Sequence, residues 1–169
     1  KRICSGCDRF SENSYEFPKI EEEYEQVLSE ETAYQITSIL EGAIKRGTGK
    51  KLRDLNVPLA GKTGTTNNNF DAWFIGYSSN LVVGVYVGFD NPQSLGKYET
   101  GSKAALPIFK NFISSALYKD DFKEFAIPNG IYFSPINYDT GKEEDFNNPK
   151  AIIEAFKSKD INKEENKNL

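Results

Sequence analysis

The sequence predicts an α+β fold in which an antiparallel sheet packs against helices. Three observations support this prediction. An apolar stripe with helical spacing comes first, three strand-like segments joined by short turns follow it, and a second helical stripe comes after them. Connections this short require antiparallel pairing of consecutive strands. With 169 residues, the chain is long enough to bury a core and fits one domain or a large part of one.

Composition excludes some classes of function. The net charge of −4 argues against general affinity for nucleic acid, so no nucleic-acid partner is expected. No apolar run approaches the roughly 18 residues that a membrane-spanning helix needs. The chain begins at Lys1 without an initiator Met or a signal peptide, from which we expect a fragment or a trimmed chain.

A first helix is predicted to begin after Ser29, which is a good N-cap, and to end before Gly47. Glu30 and Glu31 suit the positive end of the helix dipole. Its predicted buried stripe comprises Ile36, Ile39, Leu40, Ala43 and Ile44. Residues 48–56 form a basic connector.

Three strands are predicted next, at residues 57–66, 72–77 and 81–89. The asparagines 67–69 and the segment 78–80 are predicted turns between them. Because residues 81–89 are nearly all apolar or β-branched, we expect them to form a central strand with helices on one face.

A loop at residues 90–103 is predicted to lead into a second helix, with Pro107 in its first turn. The predicted buried stripe of that helix comprises Phe109, Phe112, Ile113, Ala116 and Leu117. Residues 130–138 are predicted to form one more strand, and residues 151–156 a short helix.

The run Lys62-Thr63-Gly64-Thr65 carries most of the chemistry. The chain has no histidine, so acid–base chemistry must use lysine, carboxylate or tyrosine. On a strand, Lys62 and Gly64 face one way and Thr63 and Thr65 the other. The hydroxyls can bind a carboxylate, the ammonium adds positive potential, and Gly64 allows close approach. An edge strand here could bind a peptide by β-addition, and a backbone N–H could stabilise an oxyanion by about 2.7–4 kcal/mol.

Two other interpretations of this run exist. It could be an ordinary surface turn, because the tripeptide alone is a short motif. It could also end a phosphate-binding P-loop, but that motif needs glycine where Asn56 stands, and no apolar strand precedes it.

Cys4 and Cys7 form the only cysteine pair. A structural disulfide or free thiols are favoured over zinc shared with absent residues and over redox catalysis. A zinc site needs about four ligands, and this sequence has no second pair and no histidine. A disulfide would imply an oxidising compartment. No metal site is therefore predicted from the sequence.

Several short motifs follow one another along the chain: TAYQI (32–36), LEG (40–42), RGTG (46–49), GKTGTTN (61–67), DAWFIGY (71–77), VGVYVGFD (83–90) and ALPIFK (105–110). In this order they strongly resemble the transpeptidase domain of class A penicillin-binding proteins. The likeness runs from about Ser29 to Leu117 and is weaker at residues 130–141. The Cys4 to Cys7 segment resembles the penicillin-binding protein 1A branch.

The resemblance implies a serine acyl transfer. A serine attacks the D-Ala-D-Ala end of a peptidoglycan stem peptide, releases D-Ala and passes the acyl group to a neighbouring amine; β-lactams acylate the same serine. By position, Lys62 would neutralise the donor carboxylate, Thr63 and Thr65 would bind it, and the Thr65 backbone N–H would supply half of the oxyanion hole. No cofactor is implied.

The family also uses a Ser-x-x-Lys nucleophile and a Ser-x-Asn element, both upstream of Lys-Thr-Gly. The run Ser94 to Lys97 has the right letters but follows the motif and lies in a Pro/Gly loop. The runs 11–13 and 78–80 both read Ser-x-Asn; the first lies in a polar stretch and the second reads as a hairpin turn. We therefore expect the nucleophile to lie outside this chain, in a missing N-terminal half, and the chain alone to be inactive.

Composition and the resemblance together predict four parts. We expect residues 1–28 to be a linker or partial upstream element, 29–118 the C-terminal half of the transpeptidase domain, 119–147 a β-containing extension and 148–169 a partly disordered polar tail. The expected location of the parent protein is the periplasmic face of the bacterial inner membrane. The alternative is a non-catalytic module that binds peptide or a partner on the same fold.

Smaller roles are also predicted. Trp73 and Phe74 are expected to pack between sheet and helix, and Asp71 to brace the turn after the motif strand. Thr48 and Gly49 would shape the cleft rim, on resemblance alone.

Overall fold

A computed structural model describes residues 25–116 and 122–158, together with the backbone of residues 2–5 and 19–22. Cys7, the Ser11 run, Leu117 and the segment 162–169 lie outside the described residues, so the predictions on them stay predictions. The elements in chain order are β1 (Arg2–Ser5), β2 (Lys19–Glu22), α1 (Glu30–Lys45), a 3-10 helix (Lys50–Leu55), β3 (Ala60–Thr65), a 3-10 turn (Asn67–Asn69), β4 (Ala72–Tyr77), β5 (Val82–Val87), α2 (Ala105–Ala116), β6 (Ile131–Asn137) and β7 (Ala151–Lys157).

The strands form three antiparallel sheets: β1 with β2, β3-β4-β5, and β6 with β7. The α+β prediction of an antiparallel sheet against helices is confirmed. The β1–β2 pair and the 3-10 helix in the basic connector were not predicted.

Helix α1 begins as predicted, since the backbone N–H of Thr32 donates to the hydroxyl of Ser29, the N-cap. Its predicted buried stripe is wrong in part: Ile36 and Ile39 are 49% and 58% exposed, whereas Ile44 is buried. The side of α1 that faces the sheet carries a polar residue. The hydroxyl oxygen of Thr37 lies 3.0 Å from that of Tyr77 on β4. Spacing alone could not show that a threonine occupies the inner face.

In the three-stranded sheet, β4 is the middle strand and has the predicted limits. The prediction of a central strand at 81–89 is wrong, because β5 is an edge strand among the described residues. Its alternate residues Val83, Val85 and Val87 pack against the core, whereas Val82 and Tyr86 are exposed. The strand is therefore half-buried, and its β-branched residues reflect strand propensity as much as burial.

The core lies between this sheet and the helices. Phe74 of β4 and Phe109 of α2 are fully buried, with ring centroids 4.8 Å apart. Ile44 of α1 and Ile113 of α2 join the same cluster. The predicted stripe of α2 is correct for Phe109 and Ile113 but wrong for Phe112 and Ala116, which are exposed. Its inner face is completed by Ala105 and Leu106 at the start of the helix.

The predicted strand near residues 130–138 is confirmed as β6, but the predicted helix at 151–156 is wrong. That segment is β7, and it pairs with β6 along its whole length, with the rings of Tyr132 and Phe156 stacked 5.6 Å apart. A short run with isoleucine and phenylalanine is compatible with a helix or a strand. Here its pairing with β6 makes it a strand. The β6–β7 hairpin therefore extends across residue 148, where the boundary between the extension and the polar tail is predicted.

We predict that Phe109→Ala will lower the free energy of unfolding by about 3–5 kcal/mol, because it leaves a cavity beside Phe74. Phe112→Ala is the matched control on the same helix, and it should cost under about 1 kcal/mol because its side chain is 46% exposed. Urea denaturation of each variant, followed by far-UV circular dichroism, measures both. Equal losses would contradict this assignment of the core.

Candidate functional site

Strand β3 is an edge strand of its sheet among the described residues. Lys62 stands opposite Ile75 and Gly64 opposite Trp73, on the exposed face. Thr63 stands opposite the buried Phe74, so it lies on the other face. The predicted alternation of the motif is therefore present in the structure.

The ammonium of Lys62 stays accessible. It donates to the carbonyl oxygen of Thr63 at 3.1 Å and lies 3.5 Å from the hydroxyl oxygen of the same residue. The side chain is exposed and forms no ion pair with a residue that the structure describes. The cation therefore keeps its capacity to attract an anion from solvent.

The connector after α1 reaches the motif. The hydroxyl oxygens of Thr48 and Thr63 are 2.9 Å apart. Gly49 is buried against α1, where an added Cβ would lie 3.0 Å from a side-chain carbon of Ile44. Thr48 thus borders the motif strand, at the position where the resemblance put a cleft rim.

The hydroxyl of Thr65 accepts a hydrogen bond from the backbone N–H of Gly101 at 3.0 Å. Gly101 is buried and lies in the loop that leads into α2. This contact joins residues 36 positions apart. No sequence pattern marks this contact, and Gly101 is not among the residues predicted for the site.

The turn after β3 is braced by Asp71, as predicted. Its carboxylate accepts from the hydroxyl of Tyr86 at 2.9 Å and from the hydroxyl of Thr66 at 3.3 Å. Its backbone N–H donates to the Thr66 hydroxyl at 2.8 Å. The hydrogen bond to Asp71 is the main cause that raises the pKa of Tyr86; burial and the charges of Asp71 and Asp90 add to it.

The loop after β5 packs on the same turn. Asn68 and Asn69 have positive φ angles, and the amide of Asn69 donates to the carbonyls of Gly96 and Lys97 at 2.9 Å each. The hydroxyl of Ser94 donates to the carbonyl of Asn68 at 2.8 Å. The run 94–97 is not helical, and the hydroxyl of Ser94 also accepts from the backbone N–H of Gly96 at 3.2 Å within this loop.

The Ser-x-Asn run at residues 78–80 is a hairpin turn, as predicted. The hydroxyl of Ser78 donates to the side-chain oxygen of Asn80 at 2.7 Å, between β4 and β5.

The packing prediction is confirmed for Phe74 but wrong for Trp73, which is 40% exposed and lies against Tyr86 at 4.7 Å between ring centroids. Alternation on β4 puts the two neighbours on opposite faces.

A cleft of about 840 Å³ lies elsewhere, between the start of α1 and residues 123–129. None of the motif residues lines it. Burial is the main cause that raises the pKa of Tyr34 there, with the charges of Glu41 and Glu124 adding to it. The motif strand and this cleft are therefore separate features.

In the part of the chain that the structure describes, no cluster of three or more acidic or cysteine side chains is arranged to hold a metal ion. Nor does that part contain a helix long and apolar enough to cross a bilayer.

Comparison with known proteins fixes the family. The family model described as penicillin binding protein transpeptidase domain matches residues 13–114. The chain belongs to this transpeptidase family. It is therefore related to proteins of cell-wall synthesis, as the sequence motifs indicated.

Curated relatives of this transpeptidase chain include penicillin-binding proteins 1A from several bacteria. That of Rickettsia felis is 40% identical over 99% of the chain, and that of Pseudomonas aeruginosa is 43% identical over 80% of it. The chain spans about a fifth of the length of these relatives, 21% and 17% respectively.

The crystal structure of penicillin-binding protein 1A from Haemophilus influenzae has the same fold. It superposes with a TM-score of 0.68 and 32% identity, and the match covers 78% of this chain and 21% of that one. The prediction of a penicillin-binding-protein-like transpeptidase fold is confirmed.

We predict that Tyr86 titrates above free tyrosine and that Asp71→Asn moves its pKa back toward 10.0, because the main hydrogen bond to a charged acceptor is lost. The folded pKa is raised, so the contact stabilises the fold below about pH 10 and is lost as pH rises through the folded value. A ¹³C NMR titration of the Tyr86 ring measures this. Asp90→Asn is the control and should change the pKa less; a larger change would contradict the assignment.

Proposed function

We propose that this chain supplies the substrate-binding wall of a peptidoglycan D,D-transpeptidase, which cross-links stem peptides by serine acyl transfer and is the target of β-lactams. One observation carries the proposal: the exposed ammonium of Lys62 lies on an edge strand together with two threonine hydroxyls. An anionic ligand beside this strand would meet a cation and hydroxyl donors.

The ligand chemistry follows from these groups. A D-Ala-D-Ala stem peptide ends in a carboxylate, and β-lactams such as penicillins carry one as well. In the proposal, Lys62 neutralises that carboxylate and the hydroxyls of Thr63 and Thr65 donate to it. An extended peptide can add along the outer side of an edge strand, where alternate backbone groups are not used by the neighbouring strand.

The proposed catalytic contribution of the chain is electrostatic. The backbone N–H of Thr65 would donate to the oxyanion of the tetrahedral intermediate, and Gly64 leaves space for the reacting carbonyl beside the strand. Lys62 would also support proton transfer, since the chain has no histidine. The proposed chemistry uses no cofactor.

The serine nucleophile is proposed to come from a segment that is not in this sequence. Ser94, the only serine with a lysine three positions later, is engaged with Asn68 and Gly96 in a loop. The parent protein would act at the periplasmic face of the inner membrane, where its substrate is assembled. Its partners would be the stem peptide, β-lactams and the N-terminal half of the domain.

A non-catalytic module that binds peptide or a partner on the same fold is the second candidate. It shares the exposed strand but needs no nucleophile. The two differ in whether the completed domain forms an acyl-enzyme. To complete the domain, we define a chimera in which this chain replaces the matching fifth of the Rickettsia felis protein.

We predict that the chain alone forms no covalent adduct with a fluorescent penicillin, because a carboxylate site and an oxyanion hole without a nucleophile leave the acyl transfer undone. Denaturing electrophoresis with fluorescence detection checks this, and the chimera is the positive control. A stoichiometric serine adduct on the chain alone would refute the assignment of the nucleophile to another segment.

We predict that Lys62→Ala in the chimera slows acylation by penicillin about 10- to 100-fold, because a hydrogen bond to a charged group contributes about 1.5–3 kcal/mol. Lys142→Ala, in the turn of the β6–β7 hairpin, is the matched control and should leave the rate unchanged. Reactions with fluorescent penicillin, stopped at a series of times, give both acylation rates. A chimera that folds but never acylates would favour the binding module, and equal rates for both variants would remove Lys62 from the site.

A further inference from the structure

The backbone of Gly101 lies directly on the motif strand. An added Cβ would overlap the carbonyl oxygen of Trp73 and would lie 2.5 Å from the carbonyl oxygen and 3.1 Å from the nitrogen of Gly64. These are backbone atoms of the paired strands β3 and β4, which cannot rotate away. The position therefore requires glycine for space, and its φ lies outside the left-handed region.

This close approach determines how the Thr65 hydroxyl can bond. A hydroxyl has one proton to donate and two lone pairs that accept. The N–H of Gly101 occupies a lone pair of Thr65 at 3.0 Å. A backbone N–H cannot accept, so the hydroxyl proton stays available for an acceptor outside the strand. Thr65 is exposed, and that acceptor can be a ligand.

The position of Gly101 is in turn fixed by the core. Its carbonyl accepts from the backbone N–H groups of Ala105 at 3.2 Å and of Leu106 at 2.9 Å, at the first turn of α2. Leu106 and Phe109 are fully buried on that helix. The same residue thus links a rigid helix start to a hydroxyl of the motif.

We infer that Gly101 is a positioning residue for carboxylate recognition: its N–H fixes Thr65 as a hydrogen-bond donor toward the terminal carboxylate of a peptide or the carboxylate of a β-lactam. The inference rests on the proposed function, since it concerns the same site. The inference adds to the site a residue outside the motif strand. It also means that the loop before α2 orients the hydroxyl proton of Thr65.

The first experiment uses the chimera and compares acylation by a penicillin with acylation by its methyl ester, which lacks the anionic carboxylate. With Gly101 present, the free acid should react faster. Gly101→Ala should reduce that preference about tenfold or more, because it displaces a charge-assisted donor. Ser102→Ala, in the same loop, is the control and should keep the preference. General destabilisation would slow both substrates without changing their ratio.

The second experiment uses the chain itself and needs no activity. Amide hydrogen exchange of Gly101, measured by NMR, should be slow in the wild type. Thr65→Val removes the acceptor and should speed that exchange at least about tenfold, whereas Thr65→Ser keeps the hydroxyl and should preserve the protection. Equal exchange in all three would overturn the inference.

The outcomes distinguish failure of the proposed function from failure of the inference about Gly101. A wild-type chimera that reacts equally with acid and ester would overturn carboxylate binding, and with it the proposed function. A wild-type chimera that prefers the acid, together with a Gly101→Ala variant that keeps this preference, would overturn the role of Gly101 alone. If Gly101→Ala does not fold, the exchange rates of the Thr65 variants decide.

Discussion

The contact between Phe74 and Phe109 is the constraint on which the rest of the described structure depends. It holds α2 against the inner face of the sheet, and it is possible only because Gly76 has no side chain: an added Cβ would lie 2.7 Å from the ring of Phe109. With α2 held there, its first turn fixes Gly101, and Gly101 fixes the end of the motif strand. A packing contact in the core is thus connected, through two backbone hydrogen bonds and one loop residue, to the groups that would meet a ligand.

Much of the fold could be predicted from the sequence because several elements carry independent signals. The first helix has an N-cap and a glycine stop, and the middle strand lies between two polar turns, so their limits were predicted closely. Burial was harder to predict. Ile36, Ile39 and Phe112 have the right chemistry for a core, but which face of a helix is covered depends on the elements that pack on it. The segment 151–156 shows the same limit, since only its pairing with β6 distinguishes a strand from a helix.

The candidate site was predictable to the extent that it lies within one continuous run of residues. The alternation from Lys62 to Thr65 follows from strand geometry, and the family motifs indicated the chemistry. The supporting groups come from far along the chain: Tyr86 reaches Asp71 across 15 positions, and Gly101 reaches Thr65 across 36. Their side chains or backbones meet the motif only because β5 and α2 fold back on it. A single sequence contains no periodicity that marks such contacts.

The β6–β7 hairpin is tied to α1 by contacts that span most of the chain. The amide of Gln35 donates to the carbonyl of Ala155, and Arg46 pairs with Glu154, across 120 and 108 positions. Closing a loop of this length costs more conformational entropy than forming contacts between neighbouring segments, so we expect these contacts to form after the local helices and hairpins. During synthesis they can form only once residue 155 has left the ribosome, by which time every residue of the motif strand and of α2 has already emerged. The elements that carry the site can therefore assemble before the hairpin contacts α1.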